Sequence, residues 1–242
     1  PNIRDQLKVI REAAREDCDA LVIECMAVRP DLQHTCEHQI VHATHGVITN
    51  VRPDHLEDMG PALADVAKSL SGTVPRRGRF FLAEDVFGDF LAARARDLGS
   101  SCTVATDDQV TAAEMERFAY VEFPENVALA LAVCAAVGVP RETALAGMDD
   151  VRPDVGAMTL WHYDEPQGRV TFVNGFAAND PQSYRRVWRR LKLDERRDEV
   201  VLVFNNRGDR LRRAKDLVPM FGRELAASRY VLIGEETRVV AD

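Results

Sequence analysis

The segment Thr49-Asn50-Val51-Arg52-Pro53-Asp54-His55-Leu56-Glu57-Asp58-Met59-Gly60 gathers an amide, an imidazole and several carboxylates in one short stretch. Such groups take a divalent cation or steer a phosphate. They follow an apolar run, Gly46 to Val51, that reads as a buried strand. In an open parallel sheet, ligands bind at the loops past the carboxyl ends of the strands.

A second apolar run, Ala20-Leu21-Val22-Ile23, reads as a short strand that ends at Glu24. Parallel and adjacent strands would bring Glu24, Asn50 and His55 to one sheet edge. A carboxylate and an imidazole there can hold Mg²⁺ directly or through water, with phosphates completing the octahedron. The plainer alternative is that Glu24 caps a helix and Asp54 caps the turn before Leu56. Lys68, further on, can contact phosphate as a point charge or serve as a surface residue.

Three more sites invite the same weighing. Asn126 opens a long Ala-rich helix, where its amide can satisfy backbone donors or read the edge of a base. Val173 to Pro181, with Asn179 and Asp180, runs from a strand into a helix, and so does Asn205 to Arg210, with Asp209 and Arg210. Two such loops suggest a second half-site, although Asn, Asp and Gly also dominate simple turns. His34, His38, His42 and His45 raise a zinc reading, since His38 and His42 stand one helical turn apart. Neither an HExxH order nor a paired-cysteine motif accompanies them, so a polar helix face near the site mouth is the expectation.

These residues need an alternating scaffold, and the pattern supplies one. Helices are predicted at Ile3 to Glu16, Asp31 to Ala43, Pro61 to Leu70, Val86 to Leu98, Pro124 to Gly138 and Arg141 to Ala146. Strands are predicted at 20–23, 47–51, 80–83 and 102–105. After a linker near Asp149 to Gly156 come strands at 159–163, 169–173, 199–204 and 230–233. Helices are predicted there at 181–191 and 211–227. The fold class is therefore α/β: a mostly parallel sheet flanked by helices over 1–157, with a second, smaller α/β domain over 158–242.

The 242 residues are 46% hydrophobic and 29% charged, a globular profile. The formal net charge of −8 argues against a nonspecific nucleic-acid footprint. The basic stretches Tyr184 to Arg190 and Arg207 to Lys215 read as solvated helix faces. No apolar run approaches the ~20 residues that cross a bilayer. Cys18, Cys25, Cys36, Cys102 and Cys134 form no CxxC pair, which suits reduced thiols and a cytoplasmic setting. The chain begins at Pro1 and reads as a piece of a longer protein.

Together the motifs resemble the Mur ligase superfamily of ATP-dependent amide ligases. Thr49-Asn50, then Asp54-His55-Leu56-Glu57 and Gly60, is similar to that family's TN…DHLD…G motif. Val22-Ile23-Glu24 resembles its strand ending in a Mg²⁺-binding glutamate, and His55 falls on its metal-site histidine. Asn126 resembles the asparagine that contacts adenine, and Gly208-Asp209-Arg210 resembles a GDR-type segment. Lys68 lies where many members carry a carbamylated lysine. The wording is closest to the poly-γ-glutamate synthase ligases of bacterial capsules. That match rests on Ile23 to Val28, Gly46 to Arg52 and Asn174 to Pro181, where Phe176 to Pro181 departs from the Mur form DYAHNP.

The resemblance implies ATP and Mg²⁺ as cofactors, and glutamate with a poly-γ-glutamate chain as substrates. Glu24, His55 and Lys68 become catalytic, with Glu24 and His55 on the metal. Asn50, Asn126, Arg152, Asn179, Asp180, Asp209 and Arg210 become cofactor contacts. It also implies membrane-bound partner subunits, a peripheral place at the inner face of the membrane, and room for a homo-oligomer. Other members ligate peptidoglycan precursors or folates, and a non-catalytic nucleotide-binding module is the alternative of another class. No GxxxxGK[ST] loop is present, and in this family it would precede Pro1. The expectation is negligible ATPase activity from residues 1–242 alone.

Overall fold

A computed structural model describes residues 3–83, 85–118, 120–152, 157–176, 178, 180–193, 199–208 and 211–238. The chain divides into two compact units, Pro1–Val151 and Arg152–Asp242. The division falls a few residues before the boundary read from the sequence at 157.

The first unit is built on three parallel strands, β1 (His45–Ile48), β2 (Arg79–Leu82) and β3 (Ser101–Val104), in the order β1-β2-β3. Their first residues are in register, His45 with Arg79 and Arg79 with Ser101. The central strand buries both faces, which is why Phe80-Phe81-Leu82 is an unbroken apolar run. On one face Ile48, Phe80 and Leu82 pack on Val66 and Ala67 of α4 (Leu63–Leu70) and on Leu91 and Ala95 of α5 (Gly88–Asp97). On the other, Phe81 and Ala105 pack on Val127, Ala128, Leu129 and Leu131 of α7 (Pro124–Ala136) and on Ala144 and Leu145 of α8 (Arg141–Asp150). Ala128 of α7 is buried in this layer, a small side chain that permits close packing on the sheet. Helix α7 starts where expected because Pro124 at its first position has no N–H to leave unpaired.

The expected strand at 20–23 is not formed, and this corrects the placement of Glu24 at a strand end. Residues 20–28 are irregular, and Val22 is 98% exposed. A strand needs a partner edge for its N–H and C=O groups, and no ladder reaches this run among the described residues. Side chains hold the segment instead. Gln6 on α1 (Ile3–Arg15) donates to the Glu24 carbonyl at 2.7 Å, and Gln33 on α2 (Pro30–Thr35) donates to the Val28 carbonyl at 3.0 Å.

Other boundaries shift for local reasons. The predicted helix at 31–43 forms as α2 followed by a π-helical stretch, Cys36–Val41, ended by His42 in a left-handed conformation. Strand β1 stops at Ile48 rather than Val51 because its neighbour β2 pairs no further than Leu82. The helix predicted from Pro61 begins at Leu63, where the Asp65 carboxylate accepts from the Ala62 N–H at 3.0 Å. A short helix, α3 (Leu56–Met59), precedes it, and another, α6 (Ala112–Met115), follows β3.

The second unit pairs β4 (Thr159–Glu165) with β5 (Gly168–Asn174) as an antiparallel hairpin, and β6 (Val201–Asn206) with β7 (Arg229–Gly234) in parallel. Its core joins Trp188 of α9 (Pro181–Arg190), Phe204 of β6, Ala214 and Leu217 of α10 (Leu211–Leu217), Met220 and Leu225. The helix expected to reach Ala227 ends at Leu217 and tightens through Val218–Met220. Beyond it Tyr230 organises the backbone. Its hydroxyl accepts from the N–H groups of Gly222 and Ala227 and donates to the Leu225 carbonyl at 2.7 Å.

Candidate metal and nucleotide site

The loop after β1 is anchored by Val51, which is buried in the core beside Ile48 and Val66. Asn50 stays half-buried, its amide donating to the Thr49 hydroxyl at 3.3 Å. The chain then turns sharply at His55, whose φ of 47° lies in the left-handed region that few non-glycine residues adopt. Three bonds hold this turn. The His55 N–H donates to Asp54 Oδ1 at 3.0 Å, and the His55 carbonyl accepts from the N–H groups of Asp58 and Met59. His55 therefore opens α3, and its imidazole stands beside the acids of its own turn.

The imidazole Nε2 is 3.8 Å from Asp54 Oδ2, and Nδ1 is 3.9 Å from Glu57 Oε1. Donor atoms of His55, Glu57 and Asp58 lie within 4.8 Å of one another. Two ligands of one Mg²⁺, each about 2.1 Å from the ion, stand at most about 4.2 Å apart. Three ligands on an octahedron leave at least two pairs only about 3.0 Å apart, so these exposed or half-buried side chains must close in by up to about 2 Å through rotamer changes to share one ion. Two carboxylates and one imidazole are a donor set that suits a divalent cation keeping several waters. The site thus fits the implied metal by both chemistry and reach.

Glu24 is not a member of this group. Its side chain is exposed, and its carbonyl is engaged by Gln6. Lys68 is exposed on α4. Asn126, on the first turn of α7, donates from Nδ2 to Glu122 Oε1 at 2.9 Å, and the same oxygen accepts the Phe123 N–H. Its side-chain carbonyl remains the part available to a ligand. Arg152 is exposed at the start of the second unit. Asp180 caps α9: its buried carboxylate accepts from the Ser183 N–H at 3.0 Å and from the Ser183 hydroxyl. Asn179, Asp209 and Arg210 lie outside the described residues, as does most of the expected linker, 153–156. Just before Asp209, Gly208 donates its N–H to Glu235 Oε2 at 2.8 Å, and Asn206 donates to the Glu235 carbonyl at 2.8 Å. The loops after β6 and β7 are thus tied together.

Sequence reasoning passed over Glu57 and Asp58 as partners of His55. Their nearness follows from the left-handed turn. The available signal was Asp54 preceding His55 at a helix start, with acids in the first turn. The histidines of 34–45 form no three-ligand group among the described residues. Their expected place near the site mouth is also corrected: His42 and His45 stand where β1 begins, at the opposite end of the sheet.

Parallel strands covered by helices on both faces, with polar loops past their ends, match solved ligases of the Mur fold. A folylpolyglutamate synthase from Thermotoga maritima superposes with a TM-score of 0.61, at 15% identity, over 94% of this chain and 56% of that one. A bifunctional folylpolyglutamate synthase/dihydrofolate synthase with Mn, AMPPNP and L-glutamate bound superposes with a TM-score of 0.54, at 13% identity, over 83% and 61%. These likenesses establish the fold.

The sequence comparisons are more specific. Residues 160–242 match the family described as the poly-gamma-glutamate synthase CapB C-terminal domain. The chain is 36% identical to PGA synthase CapB of Bacillus subtilis over 99% of its own length and 61% of that protein's. It is 37% identical to the capsule biosynthesis protein CapB of Bacillus anthracis over 98% of itself and 51% of that protein. The chain thus spans between half and three fifths of these relatives, and the family resemblance read from its motifs is borne out. No described helix is long and apolar enough to cross a membrane.

Proposed function

We propose that the protein acts as an ATP-dependent amide ligase that extends a γ-linked glutamate polymer through an acyl phosphate. The observation that supports this most strongly is the identity to both CapB proteins along nearly the whole of this chain. In this reading, Pro1–Val151 is the core of a central nucleotide- and metal-binding domain and Arg152–Asp242 the core of a C-terminal domain.

In the first step, a γ-carboxylate oxygen of the growing chain attacks the γ-phosphorus of ATP, and the bond to ADP breaks. In the second, the amino nitrogen of the incoming glutamate attacks the acyl carbon. The amide bond forms, the carbon–oxygen bond to phosphate breaks, and the nitrogen releases its proton. His55, Glu57 and Asp58 would hold Mg²⁺; Glu24, exposed on the segment that Gln6 clamps, stands outside that group and is the further ligand that the family resemblance implies. Such an ion, when bound, neutralises charge developing on the transferred phosphoryl group.

The other residues take positioning roles. Asn50 orients the loop that carries His55. Asn126 offers its side-chain carbonyl to the exocyclic amine of adenine. Lys68, Arg152 and Arg210 supply cationic contacts to phosphate or carboxylate. Asn179, Asp180 and Asp209 shape the C-terminal half-site, Asp180 by fixing the start of α9. Excluding water from the closed site protects the acyl phosphate from hydrolysis. The sequence carries no nucleic-acid signature, and in this reading the reaction takes place at the cytoplasmic face of the membrane, alongside membrane-bound synthase subunits.

The test is incorporation of labelled glutamate by the full-length protein with ATP and Mg²⁺, assayed with and without a folate or a peptidoglycan precursor. Formation of a γ-linked polymer without either acceptor supports the reading. Glutamate transfer only to a folate or a cell-wall precursor would replace it with another ligase of the same fold. No ATP-dependent transfer to any acceptor would support the non-catalytic alternative.

A further inference from the structure

The three parallel strands also have an amino-terminal end, and it carries a feature that the ligation chemistry leaves unused. His45, Arg79 and Ser101 are the first residues of β1, β2 and β3. Together with His42, Arg76 and Arg77 they line an open cavity of about 570 Å³. Three arginines and two histidines are among its lining residues, and no acidic residue is. This occurs on a chain of net charge −8. Four-residue strands put this end roughly 13 Å from the loop that holds His55.

The cavity wall is rigidly built. Ser100 is buried, and its hydroxyl donates to the Pro75 carbonyl at 2.7 Å while accepting the Gly78 N–H at 3.0 Å. A Cβ on Gly78 would stand 2.8 Å from the Thr44 carbonyl, so only glycine lets the arginine loop approach so closely. Arg77 holds a left-handed backbone, φ 52°, and so does His42 on the facing segment. Non-glycine residues in that region are strained, and such strain gathers at binding sites. The ring atom Nε2 of His45 is buried and has no hydrogen-bond partner.

The loop's backbone donors separate two classes of anion. Phosphate sites commonly use a nest of unpaired N–H groups. Here the Arg77 N–H donates to the Leu98 carbonyl, the Gly78 N–H to Ser100, and the Arg79 N–H to the Thr44 carbonyl. What remains for a ligand is a spread of side-chain cations. Arg79 spends one donor on the Ala136 carbonyl and keeps the rest of its fork. Among the described residues none of Arg76, Arg77 and Arg79 makes an ion pair. Separated forks along an open surface match carboxylates repeated along a flexible strand better than one compact anion.

We propose that this cavity is a binding site for a polycarboxylate strand of the γ-linked oligoglutamate class, holding polymer at the end of the sheet away from the reacting groups. The identity of the ligand rests on the proposed polymerising reaction, whereas the site rests on its own residues. Affinity for the strand should rise with the number of linked residues and fall steeply with added salt.

The experiment measures binding of fluorescent γ-linked oligoglutamates to the 242-residue chain, without nucleotide, at low and physiological salt. Two double variants are compared: Arg76→Gln with Arg77→Asn, and Arg76→Glu with Arg77→Asn. Asparagine keeps the left-handed backbone accessible, and circular dichroism checks the fold of both. Loss of two charge-assisted contacts should weaken strand binding by roughly tenfold in the first variant and more in the second. Equal affinity in wild type and both variants, or no binding by the wild type, overturns the proposal. So does tripolyphosphate binding at these arginines that oligoglutamate cannot displace. The ligation assay on the full-length protein is scored separately. Strand binding through Arg76 and Arg77 by a protein without ligase activity would sink the proposed reaction and leave the site standing.

Discussion

The side-chain amide of Gln6 donates to the backbone carbonyl of Glu24 at 2.7 Å, and its carbonyl oxygen accepts the thiol of Cys36 at 2.6 Å. One buried glutamine thereby joins α1, the π-helical stretch and the segment that carries the proposed metal-site glutamate. Replacing Gln6 by alanine removes both bonds and leaves a buried thiol without its acceptor. The expected loss is about 1–3 kcal/mol in denaturant unfolding, with faster amide exchange across 20–28. Unchanged exchange in that segment would show that something other than Gln6 holds it.

The surroundings of Cys36 also set its thiol chemistry. Burial first, then neighbouring Cys25, pushes the Cys36 thiol up to about 12. Cys18 and Cys25 are exposed and Cys102 and Cys134 partly covered. Alkylation at pH 8.5 is expected to label Cys18 and Cys25 quickly and to reach Cys36 only after unfolding, as read by peptide mass mapping. Rapid native labelling of Cys36 would contradict its burial.

His55, Glu57 and Asp58 make a divalent-cation prediction that needs no turnover. Mn²⁺ binding, followed by electron paramagnetic resonance, should weaken by about tenfold or more in His55→Ala and in Asp58→Asn. Glu24→Gln in the same assay tests whether that carboxylate reaches the ion. Equal Mn²⁺ affinity in wild type and in the His55 and Asp58 variants would remove the cluster from consideration.

The contrast between Phe80 to Leu82 and Ala20 to Ile23 marks what the sequence could reveal. Both are short apolar runs. The first is buried on both faces between two strands, so its pattern and its environment agree. The second is equally apolar but has no partner edge among the described residues, and periodicity says nothing about partners. Likewise the Ala-rich α7 was legible from Pro124 and Gly138, whereas the turns that stand where α10 was expected to continue, Gly222 to Ala227, are held by the Tyr230 hydroxyl, a tertiary contact that periodicity does not carry. At the site, residue types pointed to the 49–60 loop, but the grouping of His55 with Glu57 and Asp58 came from a backbone turn. The arginine cavity was invisible for a different reason: it is assembled from the starts of three strands.

His38 gives a pH prediction with a definite sign. Burial, then the charges of His34, Arg76, Arg94 and His42, pushes its imidazole down to about 4. The unfolded chain takes up that proton near its ordinary value of 6.5. The stabilising contribution is therefore complete above about 6.5 and is lost as pH falls through about 4. Glu37 next to it acts oppositely, because burial raises its carboxyl and protonation then favours the folded state. A His38→Leu variant isolates the histidine: its Tm should fall less than the wild type's between pH 7 and pH 4.5. Parallel Tm profiles would show that His38 titrates normally.

Gly234 ends β7 at a φ of 89°, and a Cβ there would sit 2.2 Å from the Asn206 carbonyl oxygen and 2.5 Å from Asn205 Oδ1. Both clashes fall on the last two residues of β6: the Asn205 side chain can rotate away, but the Asn206 backbone cannot retreat without breaking its bonds to Glu235. Gly222, in the same unit, has a φ of 71°, but its nearest neighbour, the Tyr230 hydroxyl, stands 3.9 Å from the position of a Cβ. Gly222→Ala should therefore cost only the backbone term, about 1 kcal/mol. Gly234→Ala adds steric displacement of the tied loops and should exceed it by at least about 1 kcal/mol. Equal losses for the two variants in thermal unfolding would mean that the loops after β6 and β7 yield freely, and that the C-terminal half-site is not the rigid platform the proposed ligation needs.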